Sequence, residues 1–133
     1  IVIKAAAVAD YRPKETFTDK MKKQDGNLVI EMERTKDILQ SLGDNKKEQF
    51  LVGFAAETTD ALQYGKGKLE KKNLDAIVIN NVAETGAGFG HDTNVVTYLN
   101  KSLQEENLPL ALKDDIAEKL LQLIDRDMKD EQK

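Results

Sequence analysis

Two short apolar runs, Phe50 to Ala56 and Asp75 to Asn81, flank a segment of helical character, and this spacing constrains the fold more than any other feature. The second run carries the unbroken Ala76-Ile77-Val78-Ile79, the pattern of a central strand buried on both faces of a parallel sheet. Parallel neighbours need a crossover, and the segment between the runs supplies one. Its helix is expected to be capped by Thr58 or Thr59, to have Asp60 in its first turn, and to run from Ala61 to Asn73. The expected class is α/β, a Rossmann-like and mostly parallel sheet flanked by helices.

The rest of the chain fits that frame. Ile1 to Ala9, apolar apart from Lys4, reads as a buried strand that runs into a loop at Asp10-Tyr11-Arg12-Pro13. Lys14 to Gly26 is polar with no helical stripe, and a connection of that length is functional or mobile. Asn27 to Glu33 alternates, with Leu28, Ile30 and Met32 on one face, which predicts a half-exposed strand. Thr35 is expected to cap a helix from Lys36 to about Leu42, and Gly43 to end it. Gly53 inside the first apolar run suggests that something approaches the backbone closely there. Beyond Gly86–Gly90, read as a flexible turn, Asn94–Leu99 and Leu108–Leu112 are expected to form a hairpin around Gln104-Glu105-Glu106-Asn107. Ile116, Leu120, Leu123, Ile124 and Met128 share one face of a final amphipathic helix.

A chain of 133 residues suffices for a single domain over residues 1–133. The opening Ile1-Val2-Ile3 lies inside a strand pattern, so the chain is expected to be the second half of a larger α/β domain. With 0 Cys and the single His91, neither a disulfide scaffold nor a histidine cluster is available. The net charge of −4 argues against a general binder of nucleic acid or membrane surfaces, and no signal peptide is legible, so the expected location is cytoplasmic.

Ligands of an open parallel sheet bind beyond the carboxyl ends of its strands. Asp10, Phe54 to Glu57, and Asn80-Asn81 fall at such ends and should meet on one rim. Lys68 and Lys72 are four apart on the crossover helix, with Lys66 and Lys71 nearby and Glu70 alone opposing them. Like charges at that spacing repel by a few tenths of a kcal/mol, roughly, so the face is either solvated or offset by an anion. Lys20, Lys22 and Lys23 form a second basic cluster on the polar connection. One rigid and one flexible cluster suit a polyphosphate. Gly86-Ala87-Gly88-Phe89-Gly90 lacks the spacing and the following helix of a dinucleotide fingerprint, and His91 reads as a hydrogen-bonded turn residue. Asp10 suits either a loop cap or a ligand to a ribose hydroxyl or metal-bound water, and Phe54 either core or the wall of a base site.

Several motifs go beyond generic patterning. Ala5-Ala6-Ala7-Val8-Ala9-Asp10-Tyr11-Arg12-Pro13, Lys20-Met21-Lys22-Lys23, Asp37-Ile38-Leu39, Val52-Gly53-Phe54-Ala55-Ala56-Glu57-Thr58, and Lys68 to Asp75 with Asn80-Asn81 occur in order. Together they resemble the bacterial phosphopantothenoylcysteine synthetase family, the second activity of the bifunctional coenzyme A biosynthesis flavoprotein, from Ile1 to about Met128. The resemblance implies a CTP-dependent ligase. The carboxylate of 4′-phosphopantothenate attacks the α-phosphate of CTP, giving an acyl-cytidylate and pyrophosphate, and the amine of cysteine then displaces CMP. Such chemistry asks a site to neutralise a triphosphate and to hold two anions in contact.

Carried over by position, the resemblance makes Lys20 the loop lysine that acts at the phosphates and in turnover. It places Lys68 and Lys72 on the nucleotide phosphates, Lys36, Asp37, Ile38, Leu39 and Phe54 in the nucleotide pocket, and Asp10 beside the nucleotide. Ala6 offers backbone to the base, and Gly53 reads as room for the nucleotide. It also implies Mg²⁺, with no ligand assigned, a homodimer, and a fused phosphopantothenoylcysteine decarboxylase upstream whose FMN is not expected on this chain. Two departures stand out. Thr35-Lys36 replaces the Asn-Pro that many members carry before Asp-Ile. The family's substrate-side asparagine belongs to an upstream segment.

Overall fold

The computed structural model describes residues 1–23, 25–83 and 90–131. A five-stranded sheet forms its centre, built from β1 (Val2–Lys4), β4 (Leu51–Glu57), β5 (Ala76–Asn81), β6 (Thr93–Asn100) and β7 (Glu105–Leu112) in that spatial order. β1, β4 and β5 run parallel, whereas β6 is antiparallel to both of its neighbours, β5 and β7. The expected α/β class, with its C-terminal hairpin and last helix, is what the chain adopts, and the sheet expected to be mostly parallel is parallel over β1, β4 and β5 and antiparallel through the hairpin.

Strand alternation sorts the core onto two faces. Leu51, Ala55, Ile77, Ile79 and Leu99 pack with Leu39 of α1 (Ile38–Asp44) and Leu69 of α2 (Ala61–Lys71). Val52, Ala76, Val78, Val96 and Tyr98 pack on the other face against Ile116, Leu120, Leu123 and Ile124 of α3 (Lys113–Glu131), with Phe54 and Met128 at the margin. The period-2 alternation of β4 and β5 therefore feeds both layers, which is why these runs read as continuously apolar. α3 is tied down by a polar link: the Tyr98 hydroxyl and the Asn100 amide both donate to Asp127 Oδ2, at 2.8 and 3.0 Å.

Several local expectations are corrected. The run from Ile1 to Ala9 is a strand only over Val2–Lys4 and forms a sheet edge with Ile1 and Ile3 exposed, so its hydrophobicity does not reflect burial. Tyr11–Pro13, expected as loop, is β2 and pairs antiparallel with β3 (Met32–Arg34) in a separate two-stranded ribbon. Leu28, Val29, Ile30 and Met32 are all exposed, so the strand expected over Asn27–Glu33 shortens to its end and buries no face.

Helix ends also moved. Asp37, not Thr35, caps α1, its Oδ1 accepting from Gln40 N at 2.9 Å. Gly43 lies inside the helix, because a Cβ there would stand 1.8 Å from the Lys72 carbonyl oxygen: close approach, not termination, explains the glycine. Asp60 occupies the cap position of α2 in a left-handed conformation (φ 48°) without a side-chain cap bond, and Lys72, followed by Asn73 at φ 52°, ends the helix. The β6–β7 turn falls at Lys101–Gln104, so Glu105, Glu106 and Asn107 belong to the strand. Gly86 to Phe89 lie outside the described residues, and His91 is exposed.

Candidate functional site

A cavity of about 310 Å³ opens at the carboxyl ends of β1, β4 and β5. The chain that leaves β1 forms one wall with Ala5, Ala6, Ala7, Val8 and Asp10. The segment leading into α1 forms another with Thr35, Lys36, Asp37, Ile38 and Leu39. Phe54, Ala55 and Ala56 of β4 and Asn80 of β5 close the base, and the side chain of Lys72 arrives from the end of α2. Strands that stop together on one edge leave this space wherever their connections diverge.

Local hydrogen bonds fix the walls. Thr35 donates through Oγ1 to the Ala9 carbonyl at 2.6 Å and through its backbone N–H to the Asp10 carbonyl at 2.9 Å. These two bonds join the walls that precede β2 and follow β3. The Lys4 ammonium donates to the Ala6 carbonyl at 2.7 Å, bracing the alanine turn from below. Asp37 Oδ2 receives the Lys72 ammonium at 2.9 Å while Oδ1 caps α1. The Gln40 backbone N–H and then the Lys72 ammonium hold the Asp37 carboxyl below its ordinary range, with Lys4 adding to the effect.

The lysine-rich face of α2 proves to be compensated from within. Lys66 pairs with Glu105 at 3.1 Å, Lys68 with Glu57 at 2.5 Å and Lys72 with Asp37 at 2.9 Å. Three carboxylates from three other elements offset the repulsion, a resolution that spacing along one helix cannot show.

Of the residues singled out from sequence, the cavity gathers Ala6, Asp10, Lys36, Asp37, Ile38, Leu39, Phe54 and Lys72. Lys68 does not line it; it borders a shallow groove on α2 with Tyr64, Gly67 and Lys71. Lys20 is exposed on the connection between β2 and β3 and is not among the lining residues. Gly53 faces Leu39 and Leu74, whose methyls would lie 2.8 and 2.9 Å from an added Cβ, so helix packing and not a ligand fills that space. Asn80, placed by the sequence at the strand-end rim, lines the cavity as expected, and Lys4 and Thr35 join the site beyond those singled out. Lys4 had a legible signal, a lone charge in an apolar run; the bonds of Thr35 and Asn80 to distant segments had none.

An α/β domain with a cation-lined pocket at its strand ends defines the class of protein. The chain belongs, more narrowly, to the family described as the DNA/pantothenate metabolism flavoprotein C-terminal domain, whose model matches residues 1–128. It is 56% identical over 124 residues to the coenzyme A biosynthesis bifunctional protein CoaBC of Bacillus subtilis, covering 93% of this chain and 30% of that protein. A cysteine/cysteine sulfinic acid decarboxylase from an unknown prokaryotic organism is 44% identical over 125 residues, covering 93% of this chain and 35% of that protein. The crystal structure of the C-terminal domain of a CoaBC protein superimposes with a TM-score of 0.75 at 41% identity, covering 96% of this chain and 54% of that one. The chain thus spans about a third of the length of these curated relatives. No described helix is long and apolar enough to cross a membrane.

Proposed function

We propose that the cavity binds CTP and that this chain is the nucleotide-binding portion of a phosphopantothenate–cysteine ligase of coenzyme A biosynthesis. One observation carries the reading: residues distant in sequence, Ala6, Asp10, Lys36 to Leu39, Phe54 and Lys72, converge on one cavity at the strand ends. Lys4, Lys36 and Lys72 supply cations for a triphosphate, and Phe54 supplies an aromatic wall. The carboxylate of 4′-phosphopantothenate would displace pyrophosphate from the α-phosphate, and cysteine nitrogen would then displace CMP. The protein's part is charge neutralisation and alignment, in which Lys20 closes from the exposed connection and Lys68 turns from Glu57 to a phosphate.

Mg²⁺ is proposed to enter with the nucleotide. Asp10 in the cavity wall would hold it, and the ion would neutralise charge on the phosphates. Exposed Tyr11, Phe17, Leu28 and Val29, around the β2–β3 ribbon, support a homodimer, measurable by light scattering. The decarboxylase with its FMN would lie on another part of the longer protein.

The test is pyrophosphate release in a full-length protein carrying this sequence, supplied with CTP, Mg²⁺, 4′-phosphopantothenate and cysteine. Release that requires the phosphopantothenate and falls with Lys72→Ala supports the reading; none overturns the ligase. A second reading, a nucleotide-binding module without turnover, draws on the internal pairing of Lys68 and Lys72 with carboxylates. CTP binding without pyrophosphate release would favour it.

A further inference from the structure

The β6–β7 ladder shifts register between Asn94 and Val96, where Val95 stands opposite two residues of β7, Pro109 and Leu110. Bulges of this kind re-aim side chains beside functional sites. Here the Val95 backbone N–H donates to Oδ1 of the Asn94 side chain at 2.9 Å. An amide accepts through its oxygen alone, so this bond decides which way Asn94 faces. Its Nδ2 is left as the donor, and it meets Asn80 Oδ1 at 2.8 Å. The oxygen of Asn80 is thereby committed, and its Nδ2 is the group left to meet a ligand from the cavity wall. Two amide orientations that are ambiguous in isolation follow from one backbone N–H.

The surroundings indicate what the donor meets. Asn80 is paired with Ala56 and Val78 with Phe54, so Asn80 and Phe54 lie diagonally on neighbouring strands. Phe54 and Val78 belong to the α3 side of the sheet, whereas Leu39 of α1 belongs to the opposite side, which also carries the Asp37–Lys72 pair. The cavity is therefore polarised, with an aromatic ring and an amide donor at one side and the ion pair at the other.

We infer that Asn80 is a specificity-determining donor to the pyrimidine ring of the bound nucleotide, and that Asn94 is the positioning residue that sets its sense. The inference rests on the nucleotide reading above. Cytosine presents two adjacent acceptors, O2 and N3, whereas uracil carries N–H at position 3. O2 accepts in both bases, so it is a donor aimed at N3 that favours cytosine, because uracil leaves that buried donor facing another donor.

Asn94→Asp provides the decisive test. Aspartate still accepts from Val95, but its second oxygen also accepts, so Asn80 must rotate to donate to it and turn Oδ1 toward the cavity. Calorimetric titration of the whole chain with CTP and with UTP should show CTP preferred by the unaltered protein. The preference should fall roughly tenfold or more in Asn94→Asp, the scale of one hydrogen bond exchanged for a mismatch. Asn80→Asp, which keeps an acceptor for Asn94 and shows its other oxygen to the ligand, should do the same and decides the matter if Asn94→Asp does not fold by circular dichroism. The added negative charge weakens both nucleotides alike, so the ratio isolates recognition of the base. A CTP:UTP ratio unchanged in the folded variants, or no preference in the unaltered chain, overturns the inference alone. Binding of neither nucleotide by the unaltered chain overturns the nucleotide reading as well.

Discussion

Asp37 holds the Lys72 ammonium at 2.9 Å across the cavity while its other carboxylate oxygen caps α1, so one side chain both starts a helix and occupies a cation of the site. An incoming polyphosphate must compete with Asp37 for Lys72. Lys68 is similarly engaged by Glu57, at 2.5 Å, but outside the cavity lining. Lys72→Ala should therefore weaken CTP binding about tenfold or more, the range for a charge-assisted hydrogen bond. Lys68→Ala should weaken it less; an equal or larger loss, measured by calorimetry, would show that Glu57 releases Lys68 readily.

The Asp37 carboxyl titrates below its ordinary value of 3.8 because it accepts from Gln40 N–H and then from Lys72. A depressed carboxyl contributes stability that is fully present above the unfolded-state pKa and is lost as pH falls through the folded one. Urea denaturation should show this contribution disappearing below about pH 4, and Asp37→Asn, which retains the capping oxygen, should flatten the slope in that window. Because the pair is partly exposed, the effect should be small, about 1 kcal/mol or less. An identical pH slope in the variant would remove Asp37 from the account.

Gly43 and Gly65 separate two kinds of close approach. An added Cβ at Gly43 meets a backbone atom, the Lys72 carbonyl oxygen, at 1.8 Å, whereas at Gly65 it meets the Ile79 Cδ1 methyl at 2.2 Å. A methyl at the end of a side chain can turn away and a carbonyl between α2 and β5 cannot. Gly43→Ala should cost about 3 kcal/mol or more and Gly65→Ala about 1–3, the usual range for overpacking. Thermal melts giving the reverse order would show that α1 shifts more freely than its packing implies.

The Tyr98 hydroxyl donates to the buried Asp127 carboxylate on the face opposite the cavity-lining helix α1. Tyr98→Phe removes that donor while Asn100 and Arg126 still hold the carboxylate. A loss of about 1–3 kcal/mol is expected in urea denaturation, with CTP affinity unchanged. A parallel loss of affinity would couple α3 to the cavity.

Trypsin tests the part assigned to Lys20. Lys20, Lys22 and Lys23 are exposed and should be cut readily. If the connection closes over bound triphosphate, saturating CTP should slow cleavage there more than at Lys129, exposed on α3. Equal rates at both places would leave Lys20 out of the site.

The α/β class, the two central strands, the crossover helix between them and the apolar stripe of the last helix are all legible in the order of residues. Those features rest on the periodic placement of apolar side chains, which is a local property. The motif at Ala5–Pro13 and the stretch Lys36–Leu39 were likewise legible as candidate site residues, and the cavity brings them together. Tertiary structure alone decided the rest. Ile1–Ala9 carries the apolar pattern of an inner strand but forms an edge, since burial depends on which neighbours pair with it. Gly53 opens space that Leu39 and Leu74 fill. The lysines of α2 look unpaired along the helix because their carboxylates, Glu57, Asp37 and Glu105, come from other elements. The sense of the Asn80 amide was beyond sequence for the same reason: it is decided by a backbone N–H one strand away, and hydrogen bonds between distant segments leave no periodic trace in the order of residues.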